Sequence, residues 1–183
     1  EEVIARILRS DRRIEECLQI HRPKPGEGLF IPAGTLHAIG PGLLLAEIQQ
    51  NSNTTYRVYD WDRVDENGKA RALHPEKSVA SLIWDLPPPR LTAGEKISQD
   101  HAEIIRLASC DYFCAERVVQ STAIDFSTNG DSFHLLLNPE APMTVVSGGY
   151  SSTVKTGQAV IIAAGSQQYR VEGAASFLRY YVP

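Results

Sequence analysis

The sequence has no excess of positive charge and no apolar run long enough to cross a membrane. Its 183 residues include 18 Lys and Arg against 22 Asp and Glu, which gives a net charge of −4. Binding along a phosphate backbone needs a basic excess, so we expect no nucleic-acid partner. The longest apolar runs have the length of a β-strand, well short of the roughly 18 residues that span a bilayer, so we expect no membrane partner.

Cysteine is also scarce, and its spacing matches neither a disulfide framework nor a zinc site. The three cysteines, Cys17, Cys110 and Cys114, are an odd number without a second pair to close a tetrahedron. We interpret them as reduced thiols and predict a cytoplasmic protein. The first residues, 1–4, show neither an initiator Met nor the regions of a signal peptide. We therefore expect the chain to begin within a longer sequence.

Hydrophobic periodicity changes from helical to strand-like early in the chain. Apolar residues recur at helical spacing over 3–8 and again over 14–18, with Ser10-Asp11 as the N-cap between two short helices. From residue 19 onward, short apolar or alternating runs are broken by Gly, Pro and Asn, a pattern typical of an all-β sandwich or barrel. A helix is predicted over 74–84, and strands are predicted near 28–32, 36–39, 43–50, 55–61, 103–108, 111–119, 133–137, 143–147, 159–162, 168–172 and 176–182.

A proline-rich segment, 87–92, divides the chain into two predicted domains, 1–86 and 93–183. A pattern before this segment returns after it, and we infer two copies of one β-unit, with chance similarity as the alternative. The matched residues are Lys24 with Lys155, Gly26 with Gly157, Ala33 with Ala164, and Gly34 with Gly165. His37 of the first copy faces Gln168 of the second, so we expect the chemistry in the first copy.

The residues leading to His37 resemble the second sequence motif of the cupin superfamily. Gly26, Pro32, Gly34 and His37 follow the spacing G-x5-P-x-G-x2-H. Glycine and proline turn the chain into and out of a strand, so that His37 would start the next strand pointing into the barrel. A neutral imidazole there is a natural metal ligand, although a lone histidine is otherwise a hydrogen-bonded core residue.

An acidic residue is predicted to lie near this histidine. The turn at 40–42 should fold 43–50 back along 36–39, which brings Glu47 close to His37. A carboxylate within so apolar a run is costly to bury without a cation, a metal or hydrogen-bond donors. Arg57, one strand later, is the expected partner, which places all three side chains in one cavity.

Two longer stretches, 30–40 and 47–63, are similar to the diagnostic stretches of the type I phosphomannose isomerases. The resemblance continues over 73–78, is strong over 24–78 and is weak after the prolines. It implies a mainly β fold of tandem cupin-type jelly-roll barrels, the first incomplete, preceded by short helices. The family pattern makes 1–86 the second half of a catalytic cupin domain and 93–183 a degenerate one.

The resemblance also implies an activity. Members of the family interconvert mannose 6-phosphate and fructose 6-phosphate through a cis-enediol, with one zinc ion. Carried over by position, His37 is the zinc ligand, while Glu47 and Arg57 are catalytic. Asn53, which we assign to substrate binding, stands where many members carry Asp. The expected partner is therefore a hexose 6-phosphate.

One motif of the family is missing. Its other zinc ligands, a Gln-x-His pair and a Glu, belong to the first cupin motif, which has no equivalent here. We expect a carboxy-terminal part of a larger isomerase that alone binds zinc poorly and is inactive. Its partner would be the missing amino-terminal half, or a second copy that associates through exposed barrel edges. The alternative is a non-catalytic cupin module that binds a sugar or sugar phosphate; another metal-dependent cupin enzyme is disfavoured by 54–63.

Overall fold

A computed structural model describes residues 1–99, 101–138 and 140–183, and the side chains of all of these except Ser98 and Gln99. The chain forms two compact units. It crosses between them more than once, for the last time between Pro89 and Arg90. No helix in the described part of the chain is long and apolar enough to cross a membrane. Unit 1 comprises Glu1–Arg22, Ile31–Leu45 and Ser52–Pro89, and unit 2 comprises Pro23–Phe30, Ala46–Asn51 and Arg90–Pro183.

Among the described residues, unit 1 contains both α-helices and one 3-10 helix, and a second 3-10 helix, Ala164–Ser166, belongs to unit 2. Helix α1 spans Glu2–Leu8, a 3-10 helix spans Arg12–Cys17, and α2 spans Pro75–Ser81. The Asp11 side chain caps the 3-10 helix by accepting a hydrogen bond from the Arg13 backbone N–H at 2.9 Å, as the sequence predicted for this position. The second helix is of the 3-10 type rather than a continuation of the α-helical spacing. A small core forms around three buried residues, Ile7, Ile14 and Val58.

Most of the strands predicted in the first half of the chain are absent from the described structure. Strand β1 is limited to Gly28–Leu29 and pairs with β2, Leu91–Thr92, in unit 2. Elsewhere between 30 and 74, the only described ladder contact is one isolated bridge, from Val64 to Ala70. The predictions at 36–39, 43–50 and 55–61 were therefore wrong, because an alternating pattern forms a stable strand only beside hydrogen-bonding neighbours.

Unit 2 is an antiparallel β-sandwich of the jelly-roll type. The predicted strands of the second half are present in it, with small shifts of boundary. Ten strands follow β2: β3 Glu95–Gln99, β4 Ala102–Ser109, β5 Cys114–Gln120, β6 Ile124–Ser127, β7 His134–Leu137, β8 Met143–Ser147, β9 Tyr150–Val154, β10 Ala159–Ile162, β11 Gln168–Glu172 and β12 Ala175–Tyr181. They form a six-stranded sheet in the order β10-β7-β12-β5-β4-β3 and a four-stranded sheet in the order β6-β11-β8-β9.

The two sheets enclose the main apolar core. Both contribute fully buried side chains, among them Val118, Leu136 and Phe177 from one sheet and Val171 from the other. The interior also contains a buried ion pair. Arg179 donates two hydrogen bonds to the Glu116 carboxylate, at 3.0 and 2.6 Å, although the Glu116 residue is only 2% exposed.

Three further residues extend this buried polar cluster, and one of them, Tyr169, lies on the other sheet. Tyr181 donates a hydrogen bond to Glu116 at 3.1 Å, and Tyr169 on β11 lies within electrostatic reach of the Arg179 charge. The Tyr169 hydroxyl and His134 Nδ1 lie 2.9 Å apart. A neutral His134 can accept the Tyr169 hydroxyl proton at Nδ1, and burial favours that neutral form. Burial lowers the pKa of His134 to about 4 and raises the pKa of Tyr169 to about 12.

Glu116→Gln should destabilise unit 2 by roughly 3 to 5 kcal/mol, because it leaves the buried Arg179 guanidinium without a counter-charge. Urea denaturation followed by circular dichroism measures the loss. Asp125→Asn is the control, since it breaks the exposed Asp125–Arg170 ion pair of the same unit and should change the free energy of unfolding much less. Equal losses in the two variants would show that burial does not strengthen the Glu116 contacts.

The buried neutral His134 predicts a dependence of stability on pH. Its pKa is lower in the folded than in the unfolded chain, so the unfolded chain binds more protons between about pH 4 and the ordinary value near 6.5. The free energy of unfolding should be greatest above this window and fall with decreasing pH within it, by on the order of 3 kcal/mol. His134→Gln, which still accepts from Tyr169, should flatten the profile measured by urea denaturation; an unchanged slope would contradict the assignment.

Candidate active site

Two tight turns lead to the predicted metal ligand, and both recur in the second copy of the repeat. The Glu27 backbone N–H donates to the Lys24 carbonyl at 3.1 Å, while its side chain accepts from the Lys24 N–H at 2.7 Å. Gln158 makes the same two contacts with Lys155, each at 3.0 Å. This shared geometry supports the inferred duplication beyond its matched letters.

The second turn, 32–35, directs the chain into His37. The Thr35 N–H donates to the Pro32 carbonyl at 3.2 Å, as Ser166 does to Ala163 at 3.0 Å in the other copy. Gly34 has a φ of +83°, and a Cβ there would lie 2.7 Å from a side-chain carbon of Ile83. Glycine is therefore required at this position both by conformation and by space.

His37 is exposed, and its ring is oriented by the turn that precedes it. Nδ1 lies 2.9 Å from the Thr35 carbonyl oxygen. A carbonyl only accepts, so Nδ1 carries the proton and the Nε2 lone pair is left available. Metal-ligating imidazoles commonly have this arrangement, in which a carbonyl fixes the ring and its tautomer.

His37 therefore fits the part of a single zinc ligand, but the described residues do not complete a metal site. No group of three or more His, Cys, Asp or Glu side chains in the described ranges could hold a metal ion. A catalytic zinc site ordinarily takes three protein ligands. The chemistry of this chain is accordingly derived from its own side chains.

Arg57 is held by a short segment that follows it, 71–74. The His74 backbone N–H donates to the Arg57 carbonyl at 2.7 Å, and the Arg57 N–H donates to His74 Nδ1 at 3.3 Å. The guanidinium, about one quarter exposed, has Nε 3.7 Å from Asp60 Oδ1 and Nη1 3.5 Å from the Ala72 carbonyl. The backbone of Arg57 is thus held by two hydrogen bonds, whereas its guanidinium makes only these two long contacts with described residues.

Asp60 is the buried acidic group of unit 1. Arg71 donates to both of its oxygens, at 2.7 and 2.6 Å, and these hydrogen bonds lower the pKa of the Asp60 carboxyl. Sequence reasoning missed Asp60, Arg71 and His74 as parts of the site. The only available signal was an Asp three positions after Arg57 within a strand-like run, and nothing in the letters pairs it with Arg71.

The remaining predicted residues lie on the surface. Glu47 and Asn53 are both exposed, and Glu47 belongs to unit 2, whereas His37, Asn53 and Arg57 belong to unit 1. No hydrogen bond or ion pair between described residues joins His37 to Arg57. The hairpin expected to bring Glu47 to His37 is not formed, because 36–50 contains no strand. Their shared cavity stays a prediction.

Comparison with known proteins gives the class of the fold. The crystal structure of a mannose 6-phosphate isomerase from Bacillus subtilis superposes with a TM-score of 0.61, over 72% of this chain and 41% of that one, at 23% identity. The jelly-roll sandwich and this similarity define a cupin-type β protein. No protein-family model matches the chain.

Sequence comparison identifies the relatives. The chain is 35% identical over 161 residues to mannose-6-phosphate isomerase ManA of Bacillus subtilis, covering 88% of this chain and 50% of the relative. It is 33% identical over 155 residues to the probable mannose-6-phosphate isomerase GmuF of the same organism, covering 85% and 49%. The chain is therefore a relative of the mannose-6-phosphate isomerases, as its motifs predicted, and it spans about half the length of these two proteins.

The two histidines of the site should have opposite tautomers. His37 should carry its proton on Nδ1, which faces a carbonyl, and His74 should carry it on Nε2, because its Nδ1 accepts the Arg57 N–H. Two-bond ¹⁵N–¹H correlation spectra at about pH 8, where an ordinary imidazole is neutral, distinguish the two forms. His74 is thus the internal control. If His37 were protonated on Nε2, that nitrogen would have no lone pair available for a metal ion, which would contradict the expectation.

Proposed function

We propose that this chain forms part of a mannose-6-phosphate isomerase, which interconverts mannose 6-phosphate and fructose 6-phosphate. The observation that carries the proposal is the identity of 35% with such an enzyme over 88% of this chain. The tautomer expected for His37 and the half-buried, weakly paired Arg57 also suit this chemistry. The three cysteines, unpaired in the structure, support a cytoplasmic location.

The reaction moves a proton between adjacent carbons through a cis-enediol, so the site needs an acid/base group and a positive charge for a developing oxyanion. Glu47 is proposed as the acid/base group and Arg57 as the cation that stabilises negative charge on substrate oxygens. Asn53 would contact the bound sugar phosphate. His37 would supply one ligand to a zinc ion, which polarises the carbonyl when bound.

The exposed apolar segment 39–45 supports a partner that completes the first barrel. Leu44 is 99% exposed, and Ile39, Leu43 and Leu45 are each about half exposed. Exposed apolar side chains on a backbone that no strand pairs with favour the addition of neighbouring strands, which would bury the side chains and bind the backbone. We propose that a polypeptide segment outside this sequence supplies these strands together with the remaining zinc ligands. Association of two copies through the same edges is the second possibility for this partner.

A second candidate function is a non-catalytic cupin module that binds a sugar or sugar phosphate. It is favoured by one observation, the lack of any three-residue metal-ligating group among the described residues. Binding requires only a shaped polar surface, whereas the isomerisation needs the complete set of groups. An assay of mannose 6-phosphate conversion by the natural polypeptide distinguishes the two functions.

The isolated chain should convert no mannose 6-phosphate, and the natural polypeptide that carries it should do so in the presence of zinc. In that polypeptide Arg57→Lys should lower kcat by about 100-fold to 1000-fold, because a lysine cannot reproduce the guanidinium contacts. A coupled assay of fructose 6-phosphate measures the rate, with the exposed Arg90→Lys as the control. Binding of mannose 6-phosphate by the natural polypeptide without any conversion would overturn the isomerase proposal in favour of the module.

A further inference from the structure

We propose that Asp60 is the positioning residue for the Arg57 guanidinium, and that Arg71 fixes Asp60 in that task. The role of Arg57 in isomerisation rests on the proposed function, but the positioning itself rests on contacts within unit 1. Arg57, Asp60 and Arg71 form a chain of two guanidinium groups on one buried carboxylate. The sequence alone did not indicate that these three side chains lie together.

The carboxylate is immobilised by the way Arg71 grips it. Arg71 Nε donates to Asp60 Oδ2 at 2.7 Å and Nη2 donates to Oδ1 at 2.6 Å, a two-pronged contact that prevents rotation of the carboxylate. Asp60 is 8% exposed, so water competes little for its oxygens. Oδ1 therefore presents a fixed negative charge 3.7 Å from Arg57 Nε.

The short segment that contains Arg71, residues 71–74, also contacts Arg57. Arg71 binds the carboxylate, the Ala72 carbonyl lies 3.5 Å from Arg57 Nη1, and the His74 backbone N–H and ring together bind the main chain of Arg57. Three of the four positions 71–74 thus contact both ends of the stretch 57–60. The segment 71–74 acts as a clamp on that stretch.

The turn immediately after Asp60 shows that its placement is maintained against a conformational cost. Trp61 and Asp62 have φ values of +52° and +54°, and the Arg63 N–H donates to the Asp60 carbonyl at 3.1 Å. This is the geometry of a type I′ turn, which ordinarily uses Asn and Gly because a bulky side chain with positive φ is strained. Strain of this kind persists only where the surroundings over-determine it, and it concentrates at functional sites.

Three side-chain contacts hold the strained turn in place. The Tyr59 hydroxyl donates to Asp62 at 3.0 Å, the Trp61 indole N–H donates to Glu15, and the Arg63 guanidinium lies 5.3 Å from the centre of the Trp61 ring. They offset the cost of two left-handed residues in sequence. The result is a preorganised cation, since Arg57 would not have to reorganise when an anionic group arrives.

The Nε–Hε group of Arg57 reports its position directly in ¹⁵N-arginine spectra, where Arg57→Lys assigns the resonance. Asp60→Asn should move this resonance toward that of a free arginine and speed its hydrogen exchange at least about tenfold. Arg71→Lys, which keeps the charge but loses the two-pronged contact, should give a smaller change in the same direction. Asp125→Asn, which removes one of the two carboxylates that pair with Arg170, should leave the Arg57 resonance unchanged.

An unchanged Arg57 resonance in a folded Asp60→Asn or Arg71→Lys variant would overturn the proposal, even if stability fell. Amide spectra establish that each variant is folded, and Arg71→Lys decides the question if Asp60→Asn is not. Isomerase assays on the natural polypeptide form a separate arm: there Asp60→Asn should lower kcat, and adding it to Arg57→Lys should cost little more. Absence of all turnover would overturn the isomerase function while leaving the spectroscopic result to decide on positioning.

Discussion

A β-strand is stable only where a neighbouring strand takes up its backbone hydrogen bonds, and this constraint explains the difference between the two units. In unit 2, each of the strands β3–β12 has at least one antiparallel partner, and the two sheets bury a common core. In unit 1, the stretches 36–45 and 52–61 have no described partner strand, and Leu43, Leu44 and Leu45 remain on the surface. Hydrophobic alternation records the capacity to pair, and the ladder forms only where a partner exists.

The same constraint determines which parts of the fold could be predicted from the sequence. Strands inside a sheet were recognisable, because burial gives runs such as 133–137 and 176–182 their apolar pattern. Four strands of unit 2 were missed, β2, β3, β6 and β9, and each of them lies at the edge of a sheet. An edge strand buries less of itself, so residues such as Glu95, Lys96 and Ser151 break the pattern on which the prediction depends.

The candidate site was predictable only where local spacing carries the chemistry. His37 follows two turns whose glycines and proline are visible in the letters, and its ring is oriented by a carbonyl two positions earlier. The surroundings of Arg57 were not predictable, because Asp60 and Arg71 are eleven positions apart and flank an irregular turn closed by a single bridge, from Val64 to Ala70. Pairing across such a loop is settled by the packed structure, and periodicity contains no information on it.

Two buried carboxylates show how similar ion-pair chemistry leads to different uses in the two units. Glu116 receives Arg179, Arg106 and the Tyr181 hydroxyl, while the Arg179 side chain is only 11% exposed and also lies over Phe126. The donors of Arg179 are turned inward, so the Glu116–Arg179 pair fills part of the interior of unit 2. Asp60 instead accepts two hydrogen bonds from Arg71 and lies at a longer distance from Arg57, whose side chain is 25% exposed. A guanidinium that is held by a buried charge yet retains unused donors at the surface can bind an anionic substrate, whereas a fully engaged one can only stabilise the fold.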